Sequence, residues 1–172
     1  MVFQQSILAI ALTAIATAAD AAPQQLMNKT ISVAFSVSIP ARKVDGTILT
    51  TNRQTSRQIY VSSQGRLFVK VMRRVKGAAE DKEIAPGGGG GDNLRFVGDR
   101  IVGVLSLGSG ASQLTISFDP SYQSCTANLI VGALSGKPIV WKGIDGNTYT
   151  STGKPSVSTP SCSISQGNAF AS

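Results

Sequence analysis

A stretch of strict alternation from Lys29 to Ile39 constrains this chain more than any other feature. Ile31, Val33, Phe35, Val37 and Ile39 take every second position, and Thr30, Ser32, Ala34, Ser36 and Ser38 fill the places between. A period of two puts the first set on one face of an extended strand and the second set on the other. A helix would scatter the same residues around its circumference. The stretch therefore predicts a strand with one buried and one polar face, with Pro40 as its end. Asp45-Gly46 marks a turn, and Thr47–Thr50 is a candidate short strand after it.

The next segment predicts a hairpin. Arg57–Val61 leads into Ser62-Ser63-Gln64-Gly65, and Arg66–Val75 leads out. Gly65 suits the left-handed position of a type I turn with a bulge. That register sets Val61 opposite Leu67, Ile59 opposite Val69, and Tyr60 opposite Phe68 on the other face. Residues 77–93 read as a mobile loop, because Gly87–Gly91 is an unbroken glycine run after Pro86. The run lacks the Gly-Lys-Ser/Thr ending of a phosphate-binding loop, since Asp92 and Asn93 follow.

Further strands are expected at Leu94–Val97 and Arg100–Leu107, hairpinned about Gly98-Asp99 with Phe96 opposite Ile101. Gln113–Asp119, Ser124–Val131, Pro138–Lys142, Asn147–Thr152 and Val157–Ile164 follow. Eight or nine short strands without a convincing helix predict an all-β fold: an antiparallel β-sandwich, or alternatively a small β-barrel. Residues 23–172 are expected to form a single domain. Trp141, the one tryptophan, is expected to pack in its core.

Residues 1–22 read as a cleavable signal peptide. Ile7–Ala19 is apolar and uncharged, too short for a comfortable membrane span, and small residues follow with cleavage expected between Ala18 and Ala22. Met1–Ser6 departs from the pattern by carrying no Lys or Arg. The expected location is periplasmic or secreted. The two cysteines, Cys125 and Cys162, are expected to pair in that oxidising setting.

Charge is unevenly spread. Nine cations and only Asp45 as a counter-charge lie between Arg42 and Lys76, so this stretch outweighs the +7 of the whole chain. The predicted hairpin aligns Arg66, Phe68, Lys70, Met72, Arg74 and Lys76 on one face of one strand, beside Tyr60. Cations interleaved with aromatics suit a polyanion. For an exported protein that means an anionic glycan or membrane surface rather than nucleic acid. A solvated face kept soluble by Lys and Arg would read the same way.

Catalytic signals are sparse. The absence of histidine removes the commonest general base and metal ligand, and no motif implies a cofactor. Ser151-Thr152-Gly153-Lys154 matches a Ser-x-x-Lys pattern, but Pro155 follows where that chemistry needs a helix. The carboxylates Asp45, Asp92, Asp99, Asp119 and Asp145 lie mostly in turns. The expectation is a non-enzymatic binding or structural module with Tyr60, Arg66, Phe68, Lys70 and Arg74 as its binding residues. The alternative is an extracytoplasmic hydrolase using carboxylates or the Ser151–Lys154 pair. An outer-membrane barrel is disfavoured by the 6% aromatic content, too low for two interfacial girdles.

Overall fold

The computed structural model describes residues 21–75, 93–107, 110–131, 137–143 and 145–170. Residues 1–20 of the expected signal peptide, and with them Lys76 and nearly all of the expected Gly-rich loop, lie outside them.

The chain is all-β, in two antiparallel sheets, one of them strongly curled. The first sheet takes β1 (Lys29–Lys43), β2 (Ile48–Val61), β3 (Leu67–Val75), and later β8 (Val140–Lys142), β9 (Thr148–Ser151), β10 (Ser156–Val157) and β11 (Ser161–Gln166). The second takes β4 (Asn93–Val97), β5 (Arg100–Leu107), β6 (Gly110–Phe118) and β7 (Cys125–Val131) in simple meander order. A single 3-10 turn, Gln24–Leu26, precedes β1 and seats Leu26 in the core.

β1 is the spine. One edge pairs with β2 along nearly its whole length. The other edge is shared in turn by β11, β10 and β9. Pro40 does not end this strand, contrary to expectation. The even-numbered groups of β1 face the shared edge: Ser36 N–H donates to Ser158 Oγ, and Pro40 O accepts from Thr152 N–H. The missing N–H of Pro40 therefore falls in the gap between β10 at Ser38 and β9 at Ala41, where no ladder bond is lost.

Two other expectations are corrected. The expected strands at Thr47–Thr50 and Arg57–Val61 merge into one, β2, which starts at Ile48, because pairing to β1 carries the intervening polar residues. Val157–Ile164 is two strands, β10 and β11, interrupted before Ser161. The described residues thus hold eleven strands rather than eight or nine.

The alternation works as read. Ile31, Val33, Phe35 and Val37 on β1, with Ile59 and Val61 on β2, pack against Phe96, Ile101, Leu105, Leu114, Ile116, Phe118 and Leu129 of the second sheet. Burying each such side chain contributes roughly 1.5–3 kcal/mol. A satellite cluster of Ala41, Ile139, Trp141 and Tyr149 closes the far end, with the Trp141 and Tyr149 rings stacked 5.5 Å apart.

Cys125 and Cys162 form a disulfide. Read along the chain, the bridge closes a loop within the later strands. In space it does more, because β7 lies in the second sheet and β11 lies beside β1 in the first. It ties one sheet to the other.

Candidate functional site

The outer face of the first sheet is set by the β2–β3 turn. Ser62 Oγ accepts the N–H groups of Gln64 and Arg66, and Gly65 takes φ +74° to close the turn. Only glycine adopts that backbone angle without strain. The turn fixes the register: Tyr60 opposite Phe68, Gln58 opposite Lys70, Ser56 opposite Met72, Gln54 opposite Arg74. Strand alternation then gives Phe68, Lys70, Met72 and Arg74 one common phase, shared with Tyr60 across the ladder. Arg66 is exposed in the turn just before β3.

Three rings gather at the turn end of this face. Tyr60 and Phe68 lie 6.3 Å apart between centroids, and Phe170 stands edge-on to Tyr60 at 6.2 Å. Phe170 was not expected there. It is carried in by the C-terminal segment, which hydrogen-bonds across the sheet: Gly167 N–H donates to Asn28 O, Thr30 Oγ1 donates to Gly167 O, and Ala169 N–H donates to Thr30 Oγ1. No alternation pattern marks residues 167–170, so only the tertiary contacts disclose the third ring.

The basic run does not form one patch. Arg57 shares the phase of Ile59 and Val61, is 0% exposed, and lies 5.5 Å from the Phe35 ring centroid. Arg53 and Arg73 hold register positions of the same phase. Lys43, more than a dozen strand residues from the turn, pairs with Asp145 at 3.8 Å and lies over the Tyr149 ring. The expected binding residues Arg66, Lys70 and Arg74 are the subset in or next to the outward phase. The spacing of Arg57 to Ile59 and Val61 already marks its inner phase, which charge alone does not.

A groove of about 500 Å³ crosses the same face. Its floor includes Ser36, Gln54 and Ser56, with Met72 on the β3 side. The β10–β11 connection forms the other wall through Ser158, Thr159 and Ser161. That connection is pinned to β1, because Ser158 N–H donates to Ser36 O and Ser161 Oγ donates to Ala34 O at 3.3 Å.

The candidate catalytic groups are engaged locally. Ser151 Oγ accepts the Ile139 N–H at 2.8 Å, which staples β9 to the start of β8, and Lys154 is exposed. Asp45, Asp99, Asp119 and Asp145 each sit at a different turn. Asp119 accepts from the Ser121 hydroxyl and from the N–H groups of Ser124, Gln123 and Ser121, which hold its carboxyl far below the usual carboxylate range. Asp145 is brought down to about 2, first by the Tyr149 hydroxyl at 2.6 Å and then by the Asn147 side chain. The Asp145 bond raises Tyr149 in return. Asp45 is lowered chiefly by the Thr47 N–H. A glycosidase acid needs a raised carboxyl, and these three shifts run the other way. Among the described residues no three His, Cys, Asp or Glu side chains are placed to hold a metal ion.

Comparison with protein families, with curated proteins and with solved structures found no match.

Proposed function

We propose that this protein is exported to the periplasm or beyond and acts by binding an anionic surface, not by catalysis. The observation that carries the reading is the shared outward phase of Lys70 with Tyr60 and Phe68, with Arg74 at the register position opposite Gln54 and Arg66 exposed in the turn. Cations on one face attract a polyanion over roughly 10 Å at ordinary salt. The flat rings beside them offer stacking area once contact is made. Export is supported by the apolar Ile7–Ala19 run and by a paired, even set of cysteines.

The test is salt-dependent retention on a phosphate or carboxylate matrix. Wild type is expected to bind at low salt and elute as salt rises. Substituting Lys70→Ser and Arg74→Ser together should move elution to clearly lower salt, while Lys142→Ser, an exposed residue of β8, should move it little. Identical elution of wild type and the double variant would sink the proposal.

A further inference from the structure

The outer-face groove has a chemistry distinct from the cations around it. Ser36, Gln54, Ser56, Thr159 and Ser161 line it with groups that both donate and accept hydrogen bonds, and among the described residues its lining carries no charge. A phosphate or a lipid headgroup calls for donors and positive charge. A polyol, whose hydroxyls donate and accept in equal measure, calls for the mixture seen here. The volume of about 500 Å³ lies within the usual range for small-ligand sites. Met72 supplies an apolar surface among the hydroxyls.

Charge enters at the flanks. Lys70 and Arg74 occupy the β3 positions two residues either side of Met72, each about 7 Å along the strand. A ligand filling the groove and reaching both must therefore carry an uncharged polyhydroxyl portion with anionic groups repeating beside it. We infer that the groove seats one sugar ring of an acidic polysaccharide, whose neighbouring carboxylates lie against the Lys70 and Arg74 positions of β3. This rests on the anionic-surface reading above and narrows it to one ligand class. A bilayer fits less well, since it would meet a recess lined with hydroxyls instead of a projecting apolar surface.

The experiment uses the mature chain with four probes: polygalacturonate, dextran, polyphosphate, and vesicles containing anionic phospholipid. Polygalacturonate is expected to bind about tenfold more tightly than polyphosphate of matched charge, the equivalent of one or two net hydrogen bonds. Dextran should bind weakly. Ser56→Trp, which fills the groove, should abolish that preference and leave polyphosphate retention unchanged. Gln54→Ala with Thr159→Ala, both exposed positions, is the companion variant should the tryptophan disturb folding, and it should lower polygalacturonate affinity alone. Equal affinity for the two polyanions, untouched by either groove variant, overturns this inference and leaves the anionic-surface reading standing. Vesicle binding without uronate preference also overturns it and assigns the face to membranes. Failure to bind any anionic probe overturns the wider reading as well.

Discussion

Two neighbouring rows of the first sheet, one residue apart on every strand, have opposite fates. The inner row runs Cys162, Val33, Arg57, Val71 across β11, β1, β2 and β3. The outer row beside it runs Ser163, Ser32, Gln58, Lys70. Each row carries one cation from the same basic stretch. Arg57 is sealed over Phe35 in a row that ends on the disulfide. Lys70 stands in a row of hydroxyls and an amide. Formal charge in the sequence therefore says little about where charge can act; strand phase decides it. At the inner place the planar head of Arg57 lies over the Phe35 ring, whose face attracts a cation.

The strongest way to break this contrast is to cut the inner row from the second sheet. Cys125→Ala with Cys162→Ala opens a bridge spanning 37 residues, and chain entropy predicts a loss of about 4 kcal/mol. Chemical denaturation would measure it, and Lys70-dependent retention of the folded fraction should persist. Next comes the direct exchange of roles. Arg57→Ala empties a fully buried position against the Phe35 ring and should change stability by more than about 1 kcal/mol. Lys70→Ala should cost under about 1 kcal/mol. Equal costs in the same denaturation series would show that phase does not separate the two cations.

The smallest effect concerns Lys43, a third setting for a cation of the same stretch. Its partner Asp145 is held down at about 2, below the ordinary 3.8, chiefly by the Tyr149 hydroxyl and the Asn147 side chain, with Lys43 adding the least. A lowered carboxyl contributes stability that is complete above about pH 4 and is lost as pH falls through about 2. The stability gap between wild type and Asp145→Asn should therefore shrink across that window. A gap that stays constant from pH 5 to pH 2 would detach Asp145 from acid unfolding.

Local patterns carried most of the fold. The Lys29–Ile39 alternation, the Gly65 turn and the Gly98-Asp99 turn gave the right faces and registers, because turn geometry and period two are properties of adjacent residues. The pairing of Cys125 with Cys162 followed from an even count. What stayed illegible depends on partners distant in sequence. Pro40 could continue β1 only because two later strands leave a gap opposite it. The inter-sheet role of the bridge needed β11 to return to β1. The same holds for the site. The shared phase of Tyr60, Phe68, Lys70 and Arg74 was readable from one hairpin, whereas the Phe170 ring and the groove wall at Ser158–Ser161 come from segments that begin 88 residues after Lys70.

The shared edge of β1 also orders events in time. Thr30 is hydrogen-bonded to Gly167, 137 residues away, and β9, β10 and β11 all arrive late in the chain. A nascent polypeptide can pair β1 with β2 early, but the opposite edge stays bare until the final third has been made. Such long-range closure places refolding in milliseconds to seconds, not microseconds. Trp141 on the late strand β8 is a built-in fluorescent clock for that step, and its signal should lag the burial of the β1–β2 hairpin in stopped-flow refolding. Until the edge closes, the spine of this molecule is also its most adhesive strand, open to a holding chaperone or to a second copy of itself.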